Sequence, residues 1–253
     1  MKKLSWSGVV LIVFIMIVLG FLFSMITAIY GNPVTKLIAT AQIRSYVDEN
    51  YPDMDLEVTK AVYNFKCGDY VSQVQSTTSM DTAFSVSWYS GKIDDTYEIN
   101  VLQHYRTYQR LQQELSNKVE EVIGRDFPYE TSILFADLDK SMDDYSALTL
   151  DMPLDTETFP MPTTLTIYFY QDKIEYEVFC ERLQELKKIM KKNKIRMDYY
   201  SVVMEEASED GEKPISSGKS IYLYDYPAEK IDSETLSEDI QKYMDEWEAE
   251  HEK

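Results

Sequence analysis

The sequence predicts an α+β protein: one N-terminal transmembrane helix followed by two small α+β lobes with antiparallel sheets. Three observations carry that reading. An apolar run without a single charged residue separates Lys3 from Lys36. Beyond it, stretches of two-residue alternation and stretches of helical periodicity fall into blocks, the pattern of segregated strands and helices. The chain has 253 residues, so about 220 remain after the run, enough for one large domain or two small ones. The expected division is a tail at 1–3, a transmembrane helix at 4–30, a first lobe at 31–127 and a second at 128–253.

As a helix, Leu4 to Tyr30 would be about 40 Å long, against a hydrocarbon core of about 30 Å. A cleaved signal peptide has a shorter apolar core and a small-x-small cleavage site, and Thr27-Ala28-Ile29-Tyr30 is a poor one. The first cysteine is Cys67, too far along for a lipoprotein. Trp6 and Tyr30 fall where aromatic rings prefer the two membrane interfaces, and Gly31-Asn32-Pro33 is a helix-breaking exit. Lys2 and Lys3 on the short side point to a cytoplasmic tail, a single pass through the cell membrane and an extracytoplasmic domain. All 44 acidic residues lie beyond the run, and the chain's formal charge of −19 excludes nucleic acid as a main partner. Since no polybasic stretch flanks the span, the domain is expected to stand off an anionic membrane surface.

In the first lobe, Val34 to Asn50 reads as a helix with Val34, Leu37, Ile38 and Ala41 as its packed face, stopped by Tyr51-Pro52. Three β-like runs follow: Leu56 to Lys66, Tyr70 to Ser76 and Phe84 to Trp88. The apolar parity of the first shifts along its length, which a bulge near Lys60 would explain. Tyr63 to Tyr70 has two β-prone arms around Gly68-Asp69, a composition suited to a turn with positive φ, although Asn64 and Asp69 as ligand contacts are the functional alternative. Val101, Leu102, Tyr105, Tyr108, Leu111, Leu115, Val119 and Val122 then mark a long amphipathic helix ended by Gly124 and Pro128.

The second lobe opens with a strand at Thr131 to Leu138 and a Pro-bearing loop. Thr163 to Tyr170 alternates cleanly as a strand. Asp172 and Glu175 form a cap-like pair before a helix whose buried face is Phe179, Leu183, Leu186 and Met190. Ile195 to Met204 and Ser220 to Tyr226 read as a strand pair across an acidic loop, and Leu236, Ile240, Tyr243, Met244 and Trp247 line a final helix.

Several of these residues carry a resemblance. Tyr30-Gly31-Asn32-Pro33 directly after one span, Tyr46, Tyr51-Pro52, Tyr63-Asn64-Phe65-Lys66, Gly68-Asp69-Tyr70, Asp81 and Phe84 resemble the YfjL-like family of small membrane-anchored proteins of Gram-positive bacteria. The match covers about the first hundred residues, with a more general similarity beyond. The resemblance implies a single-span protein with an extracytoplasmic α+β region, and it supplies no catalytic residues. Cys67 stands outside the pattern.

Catalytic signatures fail on spacing. The two histidines, His104 in the expected long helix and His251, make no zinc motif, and no GxSxG elbow activates a serine. Gly211 to Ser220 imitates a phosphate loop, but its glycines are too far apart, Pro214 interrupts it, and it leads into a strand. Asp137, Asp139, Asp143 and Asp144 suggest calcium, yet Met142 and Leu148 occupy the positions that need Gly and Glu, which favours a solvated acidic loop over a divalent-ion site. Cys67 and Cys180 lie in different lobes and are not expected to form a required disulfide. No cofactor, metal or catalytic residue is assigned.

Two features invite an interaction reading. Lys187, Lys188, Lys191, Lys192 and Lys194, with Arg182 and Arg196, form the one basic cluster; it could grip an anionic polymer, or be the exposed face and last turn of a helix. Tyr222, Tyr224 and Tyr226 occupy alternate positions of one strand, which would put a row of rings on one sheet face, open or covered by a helix. The expected function is a membrane-tethered extracytoplasmic binding or regulatory module without catalytic activity. Its partners would be the lipid bilayer through residues 4–30 and a membrane or envelope protein. A cell-envelope enzyme with an unrecognised site is one alternative. An accessory subunit of a membrane complex is another, with Gly20, Ser24 and Ala28 as a small-residue stripe for helix contact.

Overall fold

The computed structural model describes residues 6–138, 144–207 and 220–251. Lys2, Lys3, Asp139, Asp143 and the loop from Gly211 to Gly218 lie outside the described residues, as does the calcium pattern built on them. The chain divides into two units, Met1–Arg106 and Thr107–Lys253.

In the first unit, α1 (Trp6–Tyr30) is a single 25-residue helix. It is long and apolar enough to cross a bilayer, and none of its apolar window is buried in the protein. Gly31 breaks it with φ +75°, and α2 (Pro33–Asn50) starts at once. Asn32 caps α2: its Oδ1 accepts from the amides of Val34 at 2.8 Å and Thr35 at 3.3 Å, with proline in the first turn.

Five strands follow: β1 (Leu56–Val58), β2 (Val62–Asn64), β3 (Asp69–Ser76), β4 (Ala83–Tyr89) and β5 (Lys92–Asp95). All pairings are antiparallel, in the order β1-β3-β4-β5, with β2 also on β3. β1 and β2 are one run broken by the expected bulge: between Val58↔Val74 and Val62↔Val71, three residues face two. The Thr59 hydroxyl fills the gap by accepting from the Gln73 amide at 2.8 Å. β5 was not anticipated; Ser90 and Gly91, both with positive φ, make the two-residue turn that brings it back.

The packed face of α2 is not the expected one. Ala39, Ile43 and Val47 are buried against Val74, Phe84 and Val86, whereas Val34, Leu37, Ile38 and Ala41 are exposed. The sheet takes the stripe that runs the length of the helix at four-residue steps; the expected one fades after two turns. The long helix also starts late. Val101 and Leu102 belong to a separate π-helical turn (Glu98–Leu102), His104 sits outside any helix at φ +60°, and α3 runs from Tyr105 to Asp126 with Gly124 inside it.

From Thr107 onward α3 belongs with the second unit, so the lobe boundary expected at 127/128 falls at 106/107. Its buried Tyr108, Leu111, Leu115 and Val119 need the second sheet, which they reach where Ser116 Oγ accepts from the Ala136 amide at 3.3 Å. That sheet has the order β6 (Thr131–Leu138), β7 (Thr163–Gln171), β8 (Tyr199–Glu206) and β9 (Ser220–Pro227). β7 and β8 are parallel, a departure from the expected all-antiparallel arrangement. The cause is α4 (Tyr176–Lys192), which carries the chain back to the end at which β7 began. Glu175 is the N-cap of α4 but its side chain makes no capping bond, so the expected pair with Asp172 is not formed. A 3₁₀ turn (Ala228–Asp232) leads to α5 (Leu236–His251).

The core of this unit combines Leu165, Ile167 and Phe169 of β7 with Phe179, Leu183 and Leu186 of α4, all fully buried. The other face of the sheet is covered unevenly: Val203 and Ser201 are buried, Phe135, Thr166, Tyr168 and Tyr222 are half-buried, and Ile133 is exposed. Register places Ile133, Tyr168, Val203 and Tyr222 across it in one row, and Phe135, Thr166 and Ser201 in the next.

Candidate functional site

The aromatic face of the second sheet is the most developed candidate surface. Tyr222 and Tyr224 stack with ring centroids 5.8 Å apart, and Trp247 of α5 lies 6.4 Å from the first and 5.2 Å from the second. The rings are half-buried, so the row is partly a packing layer for α5. Burial and a hydrogen bond with Tyr168 push the Tyr224 phenol up to about 12.

Tyr226 leaves the row. Between Tyr200↔Tyr226 and Val202↔Leu223, Ser201 faces both Tyr224 and Asp225. Asp225 adopts φ +49° there, and its amide donates to Ser201 Oγ at 3.0 Å. The extra residue turns Tyr226 onto the buried face, edge-on to Tyr243 at 5.1 Å. The expected single-face row therefore holds for Tyr222 and Tyr224 and fails for Tyr226. Ile133, Phe135 and Tyr168 share the face without having been singled out; their signal was the alternate parity of the two strands that the sequence had marked.

The basic cluster borders an open cleft of about 400 Å³ with Lys187, Lys191, Lys194, Arg196, Glu157 and Asp232 among its walls. Lys187 is committed: its Nζ donates to the Ala228 carbonyl and to Asp232, both at 2.7 Å. Lys194 pairs with Glu157 at 3.5 Å and Arg196 with Asp198 at 3.1 Å. Lys188 and Lys191 are exposed. The cluster ends α4, where helix carbonyls concentrate negative charge, so these cations already complement the protein's own dipole. Among the described residues no group of acidic, histidine or cysteine side chains could hold a metal ion. Cys67 is exposed and Cys180 buried, each free; burial raises the Cys180 thiol.

In the first unit four of the residues that carried the family resemblance, Gly31, Asn32, Tyr63 and Tyr70, meet in a junction where α1 joins the sheet. A Cβ on Gly31 would lie 2.6 Å from Tyr63 Cγ and 2.7 Å from the Tyr70 hydroxyl. That hydroxyl accepts from the Asn32 amide at 2.7 Å and donates to the Asn32 carbonyl at 3.1 Å. Tyr63 and Tyr70 stack at 5.0 Å. Asn64 Oδ1 accepts from the Lys66 amide at 3.2 Å, and Gly68 closes the turn at φ +76°, which is the structural use expected of this motif. At the other end of α2, the Tyr46 and Tyr51 hydroxyls both donate to Asp95 Oδ2, at 2.6 and 2.8 Å. The hydrogen bond to Asp95 and burial raise Tyr46 to about 12, and burial and Asp95 raise Tyr51 further. Asp95, on the unanticipated β5, had no signal in the sequence. Trp6 and Tyr30, at the two ends of α1, are both exposed.

The fold thus defines a class, two α+β units carried behind one long apolar helix. The YfjL-like N-terminal domain model matches residues 6–110 and the YfjL-like C-terminal domain model residues 114–241; the chain belongs to the YfjL-like family. No curated protein or solved structure shows significant similarity to it.

Proposed function

We propose that the protein is a single-span, membrane-tethered binding module whose residues from Gly31 onward lie outside the cytoplasm. The observation that carries this reading is α1: a long apolar helix uncovered by the rest of the chain, locked to a folded unit through Gly31 and Asn32 with no linker between them. Lys2 and Lys3 against Lys36 and Arg44 set the orientation. The half-exposed aromatic face around Ile133, Phe135, Tyr168 and Tyr222 is the binding surface, because rigid rings offer contact area at low entropic cost. Binding rather than turnover rests on the sequence inventory, in which every catalytic motif fails its spacing test.

The exposed Met80 supplies the topology test: in a Cys67→Ser background, a membrane-impermeant maleimide should label Met80→Cys in intact cells. Labelling only after lysis overturns the orientation. For the surface, a photo-reactive phenylalanine analogue at Ile133 or Phe135 in native membranes should give a discrete protein adduct that the same group at Glu57 does not. The same adducts from both positions, or none from either, overturn the binding reading.

A further inference from the structure

Apolar residues that a soluble domain would hide remain exposed at one end of the first unit. Val34, Leu37 and Ile38 on the outer side of α2, Val62 on β2 and Phe65 in the β2–β3 turn are each 47 to 72% exposed. None is placed at random. α1 contacts β2, and Gly31 touches Tyr63, which Val62 and Phe65 flank in sequence, while Val34, Leu37 and Ile38 lie in the first two turns of α2, which starts where α1 ends. Val34 is only four residues beyond Tyr30, and the headgroup layer outside the hydrocarbon core is about 5 to 7 Å deep.

Charge at this end runs against that of the chain. No acidic residue occurs from Gly31 to Val47 or from Thr59 to Gly68, and these segments carry Lys36, Arg44, Lys60 and Lys66. The fold joins them: Thr40 Oγ1 donates to the Lys36 carbonyl at 2.7 Å and accepts from the amide of Ala61, next to Lys60, at 3.1 Å. In a chain of formal charge −19, the first unit therefore presents cations and apolar side chains together where α1 meets it, the composition of a surface that enters an anionic bilayer interface.

We propose that this end of the first unit seats in the interfacial layer of an anionic bilayer, with Phe65, Val34 and Leu37 below the headgroups and Lys36, Lys60 and Lys66 among the phosphates. This reverses the expectation that the domain stands off such a surface. It rests on the reading of α1 as a span. The rigid junction makes the seating a fixed geometry, because α2 and β2 are both bonded or packed to the residue pair at which the helix leaves the membrane.

Cys67 follows Phe65 and Lys66 and is a built-in reporter, since the other thiol is buried. The full chain would be reconstituted in phosphatidylcholine vesicles with and without phosphatidylglycerol, with an environment-sensitive fluorophore on Cys67. Nitroxide-bearing lipids would quench it. A control would carry the fluorophore at Met80→Cys in a Cys67→Ser background, in the exposed turn at the far end of β3. Seating requires severalfold stronger quenching at Cys67 than at position 80, strengthened by phosphatidylglycerol and weakened severalfold by the surface variant Leu37→Ser/Ile38→Ser/Phe65→Ser. Equal quenching at the two positions, or quenching indifferent to anionic lipid, overturns the proposal. Alkaline carbonate separates the two readings: release of the protein from vesicles refutes the span, whereas retention without preferential quenching refutes only the seating.

Discussion

Gly31→Ala tests the junction most directly. At φ +75° any Cβ is strained, which costs about 1 to 2 kcal/mol for a residue with a side chain. The new methyl would also meet Tyr63 and Tyr70 at 2.6 to 2.7 Å, and overpacking of that kind adds about 1 to 3 kcal/mol. The expected destabilisation of the first unit is therefore about 2 to 5 kcal/mol, a large part of a typical domain's stability of about 5 to 15 kcal/mol. Gly91→Ala isolates the first contribution, because Gly91 has φ +85° and nothing within 4 Å of an added Cβ. Pulse proteolysis of the detergent-solubilised chain in urea would measure both. With a slope of about 1 to 3 kcal/mol per molar urea, Gly31→Ala should unfold at a midpoint lower by roughly 1 M or more. A midpoint no lower than that of Gly91→Ala would refute the close approach of Gly31 to the tyrosine pair.

The Tyr46 and Tyr51 phenols titrate above their ordinary value of 10.0 when folded, so their contribution is complete below about pH 10 and is lost as the pH rises toward 12 and beyond. Unfolding measured across that window should show the first unit losing stability, and Tyr46→Phe/Tyr51→Phe should flatten the decline; an unchanged slope would count against Asp95 as their shared acceptor. A colourimetric thiol reagent should consume Cys67 rapidly and Cys180 only on unfolding, and rapid loss of both in the folded protein would contradict the burial of Cys180. At the β9 bulge, Asp225→Gly should be tolerated while Asp225→Val costs about 1 to 3 kcal/mol for a β-branched residue at positive φ; equal melting temperatures would show that the bulge relaxes.

Most elements were legible because their signals are local. Thr163–Gln171 announces itself by strict alternation, Tyr176–Lys192 by Phe179, Leu183, Leu186 and Met190, and α1 by an uninterrupted apolar run. Even the bulge at Thr59–Ala61 showed as a change of apolar parity. β5 escaped because Lys92-Ile93-Asp94-Asp95 has almost no apolar pattern and depends on the Ser90-Gly91 turn and on pairing with β4. The break before α3 escaped for the opposite reason: Val101 and Leu102 continue the helical period of Tyr105 and Tyr108, and only the left-handed His104 separates them.

By itself the sequence determined the long apolar helix, the α+β class, the family resemblance and the strands and helices whose periodicity is complete within one segment. Tertiary structure decided which of two apolar stripes on α2 the sheet would cover, which unit would own α3, that β7 and β8 run parallel, and that Tyr226 parts from Tyr222 and Tyr224. It also brought the Lys36 and Lys60 segments together through Thr40. The physical reason is common to all of these. Periodicity records that a side chain prefers to leave water, while the surface that receives it, and the charges that become its neighbours, are set by segments far along the chain.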